Sequence, residues 1–349
     1  DAPAPAVPQV SETTDVVVIG GGIGGLFSTY LLREHKPVLL EQAGRFGGVS
    51  QGQAWRGNDF ALGAAYFCFA EEDDPRQKLY TEIGLDKVYR LKEEEDPVLY
   101  SGSIYRDFWS GETAPPDQRD QFTKLGDYFR TVYNEENDQR YPEIPFDAGL
   151  DADLAGYITG LDTMSFRQLA EKVVGGPLHP HIETALQHYC WSSMGADVDE
   201  ISAAGGLNFY AAEFGGLYVT PGGNAGAAEL ILKRIAENVP DANLRAGSFV
   251  FHVNVVSDGV LVSYIGPAGA KTIKAKAVVM GCPKYVAKHI LKDIEPDRLE
   301  AIDRLNYRAY LVANVLLKGG LKENFYDMYM LQDGRMDPKK TIEANATAH

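Results

Sequence analysis

The sequence predicts an α/β protein in which a doubly wound, mainly parallel sheet is assembled from separated stretches of chain and interleaved with an α+β domain. Three observations predict it. Asp15–Ile19 is a short, strongly apolar, β-branched run that passes at once into a glycine-rich turn and an amphipathic stretch. Apolar runs of the same kind return only after residue 219. Between the two lies a long segment rich in aromatic residues that carries helical patterns and no strand–helix–strand alternation.

The first run, Asp-Val-Val-Val-Ile, has the pattern of a strand buried on both faces of a parallel sheet. Gly20, Gly22 and Gly25 come directly after it at G-x-G-x-x-G spacing. In that fingerprint the first glycine makes the tight turn and the second lets the backbone approach a pyrophosphate. The third lets the helix pack closely on the sheet. The helix expected from about Ile23 to His35 points its unpaired N–H groups and positive dipole end at the same phosphates. Val38–Leu40 reads as the second strand, closed by Glu41, whose carboxylate can accept hydrogen bonds from ribose hydroxyls. Ile23 at the helix start and Gln42 beside Glu41 complete this candidate set. Strand, glycine turn, helix, strand and acid occur in the order that a nucleotide-binding βαβ unit requires.

The residues just past Glu41 choose among dinucleotides. Arg45-Phe46-Gly47-Gly48 resembles the R-x-G-G segment found after the first βαβ unit in two-domain flavoproteins of the flavin-containing amine oxidase superfamily. The resemblance implies FAD as cofactor, with Arg45, Gly47, Gly48 and Ser50 in the loop that holds it. Gly48–Gly52 also fits G-x-S-x-G, but a nucleophile elbow needs a strand before the serine and a helix after it. Gln51 to Gly57 does not read as a helix, so the motif does not indicate a hydrolase. Asp59–Tyr66 resembles the superfamily segment that passes beside the flavin, where small residues let a backbone lie against a flat ring. That implies a place at the cofactor for Ala64, Ala65 and Tyr66. Pro75 to about Leu91 reads as a helix ending in Ile83-Gly84-Leu85, again similar to the superfamily. The acidic clusters Glu71–Asp74 and Glu93–Asp96 around it read as solvated loops.

Residues 76–218 read as a mainly helical substrate-side domain. Ser165 and Gln168 form a capping-box start for a helix over Phe166–Val174, stopped by Gly175-Gly176-Pro177. A second helix is expected from about Ile182 into Trp191. Ile201–Phe214, rich in Ala, Gly, Tyr and Phe, suits a helix that packs tightly or lines an apolar pocket. His179, His181, His188 and Cys190 are irregularly spaced, and the two histidines flanking Pro180 read as loop, so no metal site is expected.

At Thr220-Pro221-Gly222-Gly223-Asn224 the pattern changes back. A helix over Ala227–Asn238 precedes a hairpin, Phe249–Val256 and Val260–Ile265, turned by Asp258-Gly259. Lys274–Met280 reads as a further buried strand ending at Gly281-Cys282-Pro283. This order resembles the second flavin-domain segment of the superfamily, which implies that the backbone of Val250 meets the adenine and that Gly281 and Cys282 lie over the dinucleotide. Residues 15–75 and 219–295 are therefore expected to form the cofactor domain. From Ala301 to Gly320 a substrate-domain strand is expected, within a last segment of residues 296–349. Many amine oxidases carry a lysine on it; the matching position here is Val312, with Asn314 two residues on. After Leu321 the resemblance fades, and Asn345-Ala346-Thr347 is a weak glycosylation sequon.

Composition bounds the partners. A hydrophobic content of 45% over 349 residues supports a full core, and a formal net charge of −16 argues against nucleic acid or an anionic membrane surface. Three well-separated cysteines give no disulfide framework. Residues 1–14, rich in Ala and Pro, read as a disordered leader of the kind left by signal-peptide cleavage. That points to a periplasmic or secreted protein, with a cytoplasmic one as the alternative.

The resemblance implies an FAD-binding Rossmann-like doubly wound domain with an interleaved α+β substrate domain. The implied activity is hydride transfer from an amine or amino acid to flavin. A desaturase- or isomerase-like flavoprotein acting on an apolar substrate, or a non-catalytic FAD-binding subunit, are the alternatives. The superfamily closes over the pyrophosphate with a later Gly-Asp or Gly-Glu segment, so the partners expected are a small-molecule substrate and a second chain or fragment completing the site. Because the flavin carries such chemistry, no catalytic residue is named.

Overall fold

The computed structural model describes residues 6–68, 74–92, 97–143, 151–319, 325 and 327–332. The chain forms two compact units, Asp1–Arg90 with Tyr218–Tyr307, and Leu91–Leu217 with Arg308–His349. Glu71–Asp73, Glu93–Asp96 and the sequon at Asn345 lie outside the described residues.

The first unit is built on a six-stranded sheet in the order Leu244–Arg245, Val38–Leu40, Val10–Ile19, Gly269–Met280, Gly259–Gly266, Phe249–Val256. The first four strands run parallel, and the last two fold back as an antiparallel hairpin. Both faces are covered, as the unbroken apolar run requires. Val16 and Val18 pack on one side with Leu26, Ile231 and Ile235 from the helices Ile23–Leu31 and Asn224–Ala236. Val17 and Ile19 pack on the other with Val253, Val262 and Ile290. Pleating alternates the side chains, so a strand apolar at every position can only sit inside.

Four expectations change here. The first strand begins at Val10, so part of the supposed disordered leader is ladder, in register with Thr272–Ala275. The partner strand is correspondingly long, Gly269–Met280 rather than Lys274–Met280. The helix Pro75–Ile83 belongs to the first unit, because Ile83 and the adjoining Leu85 are buried among Val18 and Leu26. No strand forms over residues 301–319: the helix Pro296–Asp303 ends there, and residues 304–319 join no ladder among the described residues. An apolar run becomes a strand only where a partner takes its backbone hydrogen bonds.

Among the described residues the second unit combines the helices Asp120–Tyr133, Ala152–Asp162, Phe166–Val174, Pro180–Met194 and Ala203–Ala211 with a small sheet of Tyr329–Met330, Val98–Tyr100 and Ser103–Tyr105. Its core is aromatic: Phe122, Phe129 and Phe166 are fully buried with Ile182, Leu186 and Leu207. Phe166–Val174 starts on the expected reciprocal capping box and stops at Gly175 in the left-handed region. The next helix starts earlier than expected, with His179 as N-cap and Pro180 in the first turn, so His181 is helical rather than in a loop. Proline suits that position because its missing N–H is one of the helix's unpaired donors anyway. Ala203–Ala211 packs tightly, its Gly206 lying against the ring of Phe166. Among the described residues no helix is long and apolar enough to cross a membrane.

Candidate functional site, a dinucleotide cradle in the first unit

Every sequence-predicted site residue lies in the first unit. Gly20 leaves the first strand, and its N–H donates to the Leu40 carbonyl at 2.8 Å. The helix then starts so close to the strand that a Cβ on Gly25 would stand 1.7 Å from the Gly20 carbonyl oxygen. Gly281 joins them, its N–H donating to Ile19 at 2.8 Å and its own Cβ position 3.1 Å from the Gly25 Cα. Gly20, Gly25 and Gly281 thus form one backbone junction where the first and fourth strands meet the helix. Gly22 is the helix N-cap and supplies no side chain to it, so the first-turn N–H groups around half-buried Ile23 stay available for an anion.

Glu41 is buried, and both its carboxylate oxygens hold backbone: Oε2 accepts from the Gly21 N–H at 2.6 Å and Oε1 from the Ala43 N–H at 2.7 Å. The end of the second strand is thereby tied to the glycine turn. Gly21 is an addition to the sequence-predicted residues. A Cβ there would meet the Phe46 ring at 2.6 Å and the Glu41 Cβ at 2.9 Å. Its signal in the sequence is the unbroken Gly20-Gly21-Gly22 run, in which the variable position of the fingerprint is itself glycine.

The Arg45–Ser50 loop crosses the first glycine turn. Gly47 donates its N–H to the Gly21 carbonyl at 2.8 Å, and Gly22 and Gly47 form an isolated parallel bridge. Gly47 and Gly48 have φ of +113° and +58°, conformations open to glycine at little cost. Ser50 is buried and donates its N–H to the Gly47 carbonyl at 2.9 Å. Arg45 and Gln42 are exposed, and Arg45 has no ion pair among the described residues.

Ala64, Ala65 and Tyr66 are placed by Gly223 and Asn224, which the sequence marks as a turn but not as site residues. Asn224 donates its backbone N–H to the Ala64 carbonyl at 3.0 Å and its Nδ2 to the Tyr66 carbonyl at 2.9 Å. Gly223 lies against Ala65, with 3.0 Å between its Cβ position and the Ala65 Cα. A Cβ on Gly63 would stand 2.8 Å from the Val49 carbonyl, which brings this segment to the Arg45–Ser50 loop. Ser50 leads into a strand, Gly52–Trp55, and not a helix, which is the wrong context for a nucleophile elbow.

Val250 reaches the same end of the sheet through its neighbours: Gly247 donates its N–H to Ala43 at 2.8 Å and Ser248 to Glu41 at 2.7 Å. The ladder shifts register between Val250 and His252, a bulge of the kind found beside binding sites. Cys282 is half-buried, and burial pushes its thiol above the ordinary value, away from nucleophilic character. The histidines considered for a metal have other partners. The His179 Nδ1 accepts from the His181 N–H at 3.1 Å, and the His181 Nδ1 lies 3.1 Å from the Thr113 hydroxyl.

The unpaired N–H groups, the exposed guanidinium and the glycine backbone together fit an extended anionic ligand with two phosphates. The family model for an NAD(P)-binding Rossmann-like domain matches residues 18–83. Flavin-containing amine oxidase B of Sus scrofa is 27% identical over 80% of this chain and 52% of its own length. The oxidoreductase PigB of a Serratia species is 21% identical over 94% of this chain and 56% of its own. The chain thus spans about half the length of the curated relatives it matches. Among solved structures, an engineered putrescine oxidase superposes with a TM-score of 0.58 at 18% identity, over 83% of this chain and 63% of that one. A fatty acid isomerase from P. acnes gives a TM-score of 0.58 at 15% identity, over 85% and 65%. These two structures share the fold. In its glycine fingerprint, its crossing Arg45–Ser50 loop and the interleaved order of its segments the chain is similar to the flavin-containing amine oxidases.

Proposed function

We propose that this chain is an FAD-dependent oxidoreductase of the amine oxidase type, acting on an amine or amino acid. The observation that carries the reading is the crossing of the Gly20–Gly25 turn by the Arg45–Ser50 loop, which brings together two groups of unpaired N–H donors on a loop that also carries the exposed Arg45. In that reading the N-terminal turn at Gly22 and the Gly48 backbone take the pyrophosphate, with Arg45 adding charge. Glu41 orients the ribose, the Val250 backbone meets the adenine, and Ala64–Tyr66 lies against the ring. The chemistry a bound FAD supplies is acceptance of a hydride from the carbon of the C–N bond. The residues of this chain bind, orient and exclude water around it.

A second reading is a desaturase or isomerase acting on an apolar substrate. Val312 at the matched lysine position supports it, as does the fatty acid isomerase among the structural neighbours. The partner reading is a second polypeptide segment that covers the exposed apolar run in the second unit, where Leu311 is 93% and Val315 78% exposed.

Purified protein is tested for flavin absorption that survives gel filtration, then for peroxide release with a panel of amines. Bound flavin with amine-dependent peroxide is the expected result. Folded protein that takes up no flavin overturns both readings, and flavin with turnover of unsaturated fatty acids alone favours the second.

A further inference from the structure

We propose that Gln51 is a positioning residue for the anion-binding loop, holding the Phe46 and Gly48 carbonyls so that the adjoining Gly48 and Val49 N–H groups stay available to a phosphate. This rests on the FAD-binding reading of the site and adds a residue to it. Two of the loop's carbonyls are held by N–H groups of the residues that follow them. The Gly47 and Val49 carbonyls accept from the N–H groups of Ser50 and Gln51 at 2.9 and 3.0 Å. The Phe46 and Gly48 carbonyls have no backbone donor among the described residues; the Gln51 side chain supplies one. Its Nε2 donates to the Gly48 carbonyl at 2.8 Å and approaches the Phe46 carbonyl at 3.5 Å.

The N–H groups divide the other way. Gly47 donates to the Gly21 carbonyl, whereas the Gly48 and Val49 N–H groups have no protein acceptor among the described residues. With Gly47 and Gly48 both at positive φ, consecutive amides can point to one side, the concavity that binds anions elsewhere in proteins. A carbonyl swung into that concavity would face a phosphate with like charge, and one amide side chain prevents this at two positions. Gln51 is set for the task by its own backbone, since its carbonyl accepts from the Leu62 N–H at 2.8 Å and its N–H is held by Val49.

The experiment compares FAD binding by the full chain and by Gln51→Glu, titrated at neutral pH and at roughly pH 5, near the ordinary glutamate range. The carboxylate has the shape of the amide but no donor, and it repels the carbonyls that the amide held. Binding is expected to weaken about tenfold at neutral pH, one well-placed hydrogen bond exchanged for a repulsion. The loss shrinks at the lower pH, because a protonated carboxyl regains an O–H donor. An ionised carboxylate also repels the phosphates directly, so the neutral variant separates loss of the donor from that repulsion. Gln51→Met, which lacks both donor and charge, is expected to weaken binding at both pH values equally, and it keeps the test open if the acidic variant does not fold. Equal FAD affinity in the parent and in Gln51→Met overturns the positioning role alone, whatever the acidic variant shows. A folded parent that binds no FAD overturns the reading of the site and the proposal with it.

Discussion

At the level of single residues the site is a set of backbone approaches that side chains would block. Gly25 is the sharpest case, because an added methyl would sit 1.7 Å from backbone rather than from a movable side chain. Gly25→Ala is expected to cost at least about 3 kcal/mol of stability, measured by urea unfolding, since the first turn of the helix would have to leave the strand. Glu41 shows what residue patterning cannot reveal. Its place at the end of the second strand is legible, but its grip on the Gly21 and Ala43 N–H groups depends on loops that meet only after folding. His188 in the second unit supplies a pH test. Burial holds its imidazole below the ordinary value of about 6.5, against a smaller upward pull from a hydrogen bond to the Met330 backbone. The unfolded chain therefore takes up the proton first, so stability is full above about pH 6.5 and falls as pH drops below it. His188→Gln is expected to flatten the change in urea midpoint between about pH 7.5 and 5.5. An unchanged slope would show that other groups dominate that range.

At the level of elements, the sequence is legible where the cause of an element is local. Ser165, Gln168 and Gly175 define both ends of one helix, and both ends stand where the pattern puts them. Ser165→Ala is expected to remove about 1 kcal/mol of stability in urea unfolding, the cost of one N-cap. Elements whose cause lies elsewhere in the chain are not legible in this way. Val10–Thr14 is polar after its first residue, and it is a strand because Thr272–Ala275 runs beside it. Residues 304–319 are apolar enough for a strand, yet they find no ladder among the described residues. Pro180 has the pattern of a breaker, although at the first turn of a helix it breaks nothing.

For the whole molecule, the decisive fact is that the first unit is made from two stretches of chain, Asp1–Arg90 and Tyr218–Tyr307. Its first strand lies between Val38–Leu40 and Gly269–Met280, so its central pairing spans most of the sequence. A fragment ending at Arg90 is expected to show no cooperative thermal transition by circular dichroism, since one face of its helix and one edge of its first strand lose their cover. Mixing in a fragment covering Tyr218–Tyr307 is expected to restore one. A cooperative transition in the first fragment alone would show that the long-range pairing is dispensable.

The sequence by itself determined the class of fold, the order of its segments and the glycine fingerprint with its closing acid. Those depend on short-range periodicity and on the backbone freedom of particular residues, which neighbours in sequence already impose. Only the tertiary structure decided that Gly281 closes on Gly20 and Gly25, that Asn224 holds the Ala64–Tyr66 segment, and that Gln51 holds two carbonyls of the crossing loop. The first two contacts join residues more than 150 positions apart, and the third depends on backbone angles at Gly47 and Gly48 that the sequence permits without specifying. Hydrophobic patterning selects which faces are buried, but the direction of a single carbonyl is chosen by hydrogen bonds between loops that folding brings together.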